Sequence, residues 1–242
     1  MLYVHRHQAL ILTLVLFFIC STAAQAQRRE LFQTDHDNKP YYFGITLSPM
    51  MGQFTTTKHA YFLQQDTVLA AEPTSSGGFG LGLSATVRLV PRLEGRLNPT
   101  LQFAERNIKY NLRYSDAIEN TTEVTKKVES VILSFPLQLK FNSDRIGNFR
   151  VYMLGGGKLD YDLASNAKAR QAEDMVKIQK IDYGVEAGLG FNFYFPSFIL
   201  SPEIKISNGL RNVHSRDVNL KYSNVIDRIQ SRMIMFSIHL EG

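Results

Sequence analysis

Hydrophobic and polar residues alternate along most of this chain with a period of two. In residues 180–205, "KIDYGVEAGLGFNFYFPSFILSPEIK", every second place from 181 to 195 is taken by Ile181, Tyr183, Val185, Ala187, Leu189, Phe191, Phe193 or Phe195. Asp182, Gly184, Glu186, Gly188, Gly190, Asn192 and Tyr194 fill the places between. Successive side chains of a strand point to opposite faces, so the run predicts a long β-strand with one apolar and one polar face.

Seven further stretches repeat the pattern. Tyr41–Gly52 sets Phe43, Ile45 and Leu47 against Gly44, Thr46 and Ser48. Phe79–Val90 sets Phe79, Leu81, Leu83, Ala85, Val87 and Leu89 against Gly80, Gly82, Ser84, Thr86 and Arg88. Leu93–Arg106 opposes Leu93, Leu97, Leu101 and Phe103 to Glu94, Arg96, Asn98, Gln102 and Arg106. Val131–Asn142 opposes Val131, Leu133, Phe135, Leu137, Leu139 and Phe141 to Ser134, Gln138 and Lys140. Phe149–Asp162 alternates Phe149, Val151, Met153, Leu159 and Tyr161 with Arg150, Tyr152, Lys158, Asp160 and Asp162. Phe198–Ser207 and Arg232–Glu241 complete eight predicted strands. Pro99, Pro136 and Pro202 fall inside them, where each deletes a ladder donor and marks a bulge or an end.

The connections alternate in length. Those near Pro91, at 142–148 and at Pro196-Ser197 are short. Those at 53–78, 110–127, 163–179 and 208–227 are long and polar. This layout matches an outer-membrane barrel with short periplasmic turns and long external loops, both termini periplasmic. A secreted lipocalin-like barrel or a β-sandwich is the rival, because alternation alone does not say which face points outward. Two features favour the membrane barrel. Gly80, Gly82, Gly156, Gly184, Gly188 and Gly190 mix with charged residues on the polar face, as a narrow lumen requires. Aromatic residues also gather near strand ends (Tyr41, Tyr42, Phe193, Tyr194, Phe195, Phe198), which suits an interfacial girdle. The expected fold is all-β, an eight-stranded antiparallel outer-membrane β-barrel with a charged, filled lumen.

The first residues read differently. Arg6, an apolar run from Ala9 to Cys20 and the small-residue ending Ala24-Gln25-Ala26 predict a secretory signal peptide over 1–26, cleaved after Ala26. A periplasmic N-terminal tail over 27–40 and a barrel domain over 41–242 follow. Cys20 is the single cysteine, so the mature chain has neither disulfide nor thiolate chemistry available. The formal charge of +5 falls to +4 when Arg6 leaves with the leader, too little and too evenly spread to imply nucleic acid.

On a lumenal polar face, Arg88, Arg96, Arg106, Lys140, Arg150, Lys158 and Lys205 meet Glu94, Asp160, Asp182, Glu186 and Glu203. Eight strands leave little interior, so these residues are expected to fill it as an ion-pair network and to exclude a solute pore. No cofactor, metal or small-molecule substrate is expected. "TDHDNK" (34–39) reads as a solvated tail rather than a metal site. A barrel enzyme would need His59 or His214 beside a Ser or a carboxylate at the outer rim; neighbours in sequence do not make a triad by themselves, "HSRD" (214–217) reads more simply as a solvated loop, and no enzyme activity is expected. Residues 165–178, "SNAKARQAEDMVKI", contain helix formers after possible caps and would form a short helix and docking surface in the third long loop.

The stretches "YDLASNAKARQAEDMVKI" (161–178), "SPEIKISNGLRNV" (201–213) and "VIDRIQSRMIMFSIHLE" (225–241) resemble the PorT family, and the similarity runs from "KPYYFG" (39–44) to the C-terminus. The resemblance implies a Bacteroidetes outer-membrane barrel needed for type IX protein secretion and, in gliding species, for motility. It implies no catalytic residues, and it implies outer-membrane lipid and other type IX secretion components as partners. A lipid- or peptide-modifying barrel enzyme and an adhesion or envelope-integrity barrel are the alternatives.

Overall fold

The structure is a computed structural model that describes residues 30–60, 62, 67–115, 121–165, 177–215 and 221–242. The expected leader over 1–26, most of the candidate helix over 165–178, and Arg216 and Asp217 of the "HSRD" cluster lie outside the described residues.

Ten strand segments follow in chain order: β1 (Tyr41–Lys58), β2 (Val68–Thr74), β3 (Ser76–Val90), β4 (Leu93–Leu97), β5 (Thr100–Leu112), β6 (Glu123–Asn142), β7 (Phe149–Asp162), β8 (Ile181–Tyr194), β9 (Ile199–Gly209) and β10 (Ile226–Glu241). Ser75 interrupts one long strand into β2 and β3, and Asn98-Pro99 interrupts another into β4 and β5, so the ten segments make eight staves. All pairings are antiparallel. The sheet closes because β1 pairs on one side with β3 (Tyr42↔Thr86) and on the other with β10 (Ile45↔Leu240). Closure removes both sheet edges, which in lipid would expose unpaired backbone groups.

The barrel is turned with its apolar face outward. Phe43, Ile45, Leu47, Leu83, Leu137, Leu139, Ile204 and Phe236 are all exposed, while Arg96, Lys140, Glu203 and Lys205 are buried. This settles the question that alternation left open. A water-soluble barrel would bury the apolar face, whereas this exposed band is far larger than a soluble monomer carries. On β6 the outward apolar residues run from Val131 to Phe141, the roughly 9–11 residues that a tilted strand needs to cross the hydrocarbon.

Beyond that band the strands continue, and the polarity of the two faces is exchanged. On β6 above Val131, Glu123, Thr125, Lys127 and Glu129 face out while Val124 and Val128 are buried. On β1 above Gly52, Gln53, Thr55 and Thr57 are exposed and Phe54 is buried. The sequence reading placed these segments in loops; the structure corrects that for much of 53–78 and 110–127. Each strand there has a water-facing outer side, so its outward residues no longer need to be apolar.

The prolines sit where a ladder is already broken. Pro136 lies opposite the Asn98-Pro99 interruption: β6 pairs with β4 at Leu137 and with β5 at Ser134, and the Asn98 amide donates to the Pro136 carbonyl at 3.2 Å. Pro202 pairs with Ile238, and the β8–β9 register passes from Glu203↔Gly190 to Leu200↔Phe193 without a pair at Pro202. The strands run through Pro136 and Pro202, while Pro99 marks a real break.

Candidate functional site

The lumen is built in layers, starting at the short-turn end. There Glu94 on β4 accepts a hydrogen bond from the Tyr42 hydroxyl on β1 at 2.8 Å and lies 3.3 Å from Arg88 on β3. Lys140 on β6 sits 3.8 Å from both Glu94 and Glu241, with its ammonium 4.1 Å from the centre of the Tyr152 ring. The next layer centres on Glu203 of β9. Its Oε2 takes the Arg96 guanidinium at 2.5 Å and the Tyr152 hydroxyl at 2.8 Å, and lies 3.5 Å from His239 Nε2. Arg96 also donates to Gln138, and Gln138 donates to Glu186 at 2.7 Å. Glu186 in turn faces Lys205 at 3.6 Å.

Nearer the long-loop end, Lys158 contacts Asp160 at 2.5 Å, and Asp160 accepts from Ser134. Arg106 donates to Ser130 and Ser231, lies 3.8 Å from Asp162, and covers the Phe54 ring at 4.5 Å. Asp182 is buried in the same region, directly across the ladder from Asp160. A cavity of about 20 Å³ remains among Arg106, Asp160, Asp162 and Asp182, room for about one water.

Eleven of the residues picked out by sequence therefore line the lumen: Arg88, Glu94, Arg96, Arg106, Lys140, Lys158, Asp160, Asp182, Glu186, Glu203 and Lys205. They form several local groups rather than one continuous chain of pairs. Arg150 is placed differently. It lies at the short-turn mouth, 3.2 Å from Asp37 of the N-terminal segment. Parity along β7 assigned it to the polar face correctly, but β7 starts at Phe149, so the residue is at the rim.

Sequence reasoning missed part of the network. Tyr42 and Tyr194 were assigned to an outer girdle; both are 3% exposed and point inward, because their neighbours Tyr41 and Phe193 occupy the outward parity. Tyr41, Phe193, Phe195 and Phe198 do lie outside. Parity also marked Tyr152 and Asp162, and Glu241 is in phase with His239, yet none of the three was counted in the expected lumenal network. Two lumenal glycines create room for bulky partners. A Cβ on Gly190 would come within 2.3 Å of the Tyr152 ring, and one on Gly209 within 2.1 Å of the Asp182 carboxylate.

Both ends of the lumen are covered. At the short-turn end, Thr34–Asn38 forms a 3-10 turn instead of the expected solvated tail. His36 is buried there with its ring 4.4 Å from Tyr42, and burial lowers its pKa from 6.5 to about 4. Arg145 holds Asp37 at 3.1 Å and donates to the Phe32 carbonyl, and Arg88 donates to the Asp37 carbonyl. At the long-loop end an apolar core fills the barrel: Phe54, Ile108, Tyr110, Val124, Ile226 and Ile229 from the strands, and Ile178, Val213, Tyr222 and Val225 from the connections. The connections are tied together by the Gln179 amide donating to the Val213 carbonyl and the Val213 amide donating to the Ile229 carbonyl. A short helix, α1 (Lys221–Asn224), carries Tyr222 into this core.

His214 Nε2 lies 2.9 Å from the Ser223 hydroxyl on α1. Both residues are buried, His214 at 4% and Ser223 at 0% exposure, so the hydroxyl is not presented to an external substrate. His59, in the first long connection, donates its amide to the carbonyl of Val225, two residues along the chain from Ser223.

The sequence matches, over residues 24–215, the family described as "Outer membrane protein beta-barrel domain". No curated protein matches the chain. Three similar solved structures are the Neisserial surface protein A, OprG from Pseudomonas aeruginosa, and Ail of Yersinia pestis in complex with the heparin analogue sucrose octasulfate. The first is 10% identical, with 82% of this chain and 96% of that one covered at a TM-score of 0.42. The second is 12% identical, with 84% and 95% covered at 0.46. The third is 10% identical, with 84% and 100% covered at 0.38.

Proposed function

The chain belongs to the outer membrane protein β-barrel family, and on that premise we propose that it is a non-catalytic accessory of type IX protein secretion, acting by contact with other components of that apparatus. The observation that carries the contact role is the filled lumen. Ion-paired layers, an apolar core at one end and the Thr34–Asn38 turn at the other leave no room for a polypeptide. Cargo must then cross elsewhere, and this barrel contributes surfaces. The assignment to type IX secretion, and to gliding where it occurs, rests on the resemblance of residues 39–242 to the PorT family. In this reading the short-turn end and both termini face the periplasm, and the long connections face outward.

The buried setting of His214 and Ser223 favours a structural use of that pair over a barrel enzyme. Alanine at His59 or His214 is expected to leave secretion intact in cells where the barrel still assembles.

The deciding experiment compares culture-supernatant proteomes of wild-type and deletion strains, with outer-membrane integrity followed in parallel. Selective loss of large secreted cargo, with precursors held in the periplasm, is the expected result. An unchanged secretome sinks the proposal. Detergent sensitivity without a selective secretion defect would favour an envelope-integrity role.

A further inference from the structure

Beyond the apolar band the wall of strands is not continuous. The β6–β7 ladder begins at Ile132↔Asp162, so from Val131 back to Glu123 the strand β6 has a ladder partner on one side only, β5. The Leu112 amide donates to the Thr122 carbonyl at 2.7 Å, so the even-numbered residues of β6 from Val124 to Ser130 direct their backbone groups to β5. The odd-numbered residues direct theirs the other way. Val131 shows this, its carbonyl accepting from the Leu163 amide at 2.8 Å. Past that contact, the edge-facing amides and carbonyls of Thr125, Lys127 and Glu129 have no hydrogen-bond partner among the described residues.

A cavity of about 300 Å³ lies beside this edge, with Lys127, Val128 and Glu129 on one side and Asp162, Ser165 and Ile178 on the other. Val128 and Ile178 belong to the apolar core, so the inner face of the slot is apolar. On its outer face Lys127 and Glu129 are exposed and make no ion pair among the described residues. Glu129 stands directly across the ladder from Glu105 of β5. Like charges opposite each other are unfavourable, and a cation on the unpaired side of Glu129 offsets them. The other half-paired segment, β2, makes a poorer edge. The Arg113 amide donates to the Thr67 carbonyl at 3.0 Å, so odd-numbered places of β5 serve β2, and Ala70, Glu72 and Thr74 pair there. Pro73 is thereby left on the far edge, where it offers no donor.

We propose that the Thr125–Glu129 edge of β6 accepts an extended segment of a partner protein as an added antiparallel strand. That segment carries small apolar residues towards Val128 and Ile178, a Lys or Arg opposite Glu129, and an acidic residue opposite Lys127. Backbone hydrogen bonds supply the affinity of such a strand and its alternate side chains the specificity. A second copy of this chain is a poor occupant. Copies in one membrane stand the same way up, so the antiparallel register that sets Lys127 of one against Glu129 of the other is out of reach. The proposal deepens the contact role given above and rests on it for its place in secretion, while the edge itself does not depend on which apparatus the barrel serves.

The test follows amide hydrogen exchange, residue by residue, in the full-length barrel in phospholipid nanodiscs. The probe is the end-capped peptide Thr-Ala-Lys-Val-Glu-Ala-Thr, which in antiparallel register sets its Lys opposite Glu129 and its Glu opposite Lys127. In the free protein the amides of Thr125, Lys127 and Glu129 are expected to exchange fast, and those of Val124 and Val128, which face β5, slowly. Saturating peptide is expected to slow the first set at least about tenfold and to leave the second unchanged. The charge-swapped peptide Thr-Ala-Glu-Val-Lys-Ala-Thr is expected to bind at least about fourfold more weakly, because two attractive cross-strand pairs become repulsive. N-methylation of the first peptide at its Lys and Glu, which removes the donors facing β6, is expected to abolish the protection. So is Lys127→Pro, which deletes an edge amide and leaves the β5 ladder intact; should that variant fail to fold, the peptide series on wild-type protein still decides. Slow exchange of all three edge amides without peptide would show the edge already covered by the chain itself and overturns the proposal. Protection that rises with protein concentration alone would show a second copy there and overturns it too, as would equal binding of the swapped or N-methylated peptide. An unchanged secretome sinks the secretion role and leaves these measurements standing, so the two readings fail separately.

Discussion

Glu203 shows what a buried charge does in this barrel. Arg96, Tyr152 and His239 converge on its Oε2, and both Arg96 and Glu203 are 0% exposed. Compared with an apolar filling such a pair adds little net stability, because desolvation offsets most of the attraction. Breaking it is another matter. Glu203→Gln leaves the Arg96 guanidinium without its carboxylate and is expected to cost about 3–5 kcal/mol, seen as a lower midpoint in urea unfolding from detergent or vesicles. Glu186→Lys is expected to lower folding yield by a comparable free energy, since it sets a second cation beside Lys205. His36 makes a pH statement. Its folded pKa of about 4 lies below the ordinary 6.5, so its docking is fully favourable above pH 6.5 and weakens as pH falls towards 4. Protease cleavage near Phe32–Pro40 should rise between pH 7.5 and pH 4.5 in wild type and stay flat in His36→Phe, in which no imidazole can charge.

Each stave divides into a lipid-crossing part and a protruding part, and the division is visible along β6. From Val131 to Phe141 the outward residues are apolar and the inward ones include Ser134, Gln138 and Lys140. From Glu123 to Glu129 the outward residues are polar and Val124 and Val128 turn inward. One strand therefore satisfies two solvents with an unbroken ladder. Arginine on the outer face tests the boundary. Leu137→Arg is expected to destabilise the barrel by about 2–4 kcal/mol, the value for a charge near the bilayer midplane. Thr125→Arg, on the same face beyond the band, is expected to leave stability within about 0.5 kcal/mol, as exposed surface changes usually do. Equal effects at the two positions would show that the hydrocarbon boundary does not fall near Val131.

For the molecule as a whole, closure and filling together set what it can do. β1 joins β10 and β3, so the ring is closed across the apolar band, while beyond it β2 and the Glu123–Val131 part of β6 each pair only with β5. The apolar core around Phe54, Tyr110 and Ile229 then seals the long-connection end. Purified barrel in a planar bilayer is expected to show no stable ion conductance. Opening this core with Phe54→Ala/Tyr222→Ala should lower thermal stability, because each buried aromatic truncation costs about 3–5 kcal/mol. Steady wild-type channels would contradict the filled lumen and remove the main support for a contact role.

Strand number, antiparallel order and lumenal parity were all legible in the chain, because period-two alternation survives wherever lipid or water holds one face and a packed interior the other. Parity brought Arg96, Glu203, Lys140 and Glu186 to the lumen. The outward sense of the apolar face, however, is a property of the closed ring, since Leu137 and Gln138 exchange inside for outside without altering the pattern. The protruding strands escaped notice for a related reason. In "EVTKKVES" (123–130) the apolar positions are sparse and inward, so the run reads as a polar loop until its neighbours pair with it. The clasp of Asp37 by Arg145 and Arg150, and the meeting of Arg211 with Ile181, join segments far apart in sequence. Periodicity is a local property and carries no record of such contacts; they were decided when the sheet closed and brought the first set together at the short-turn rim and the second at the long-connection rim.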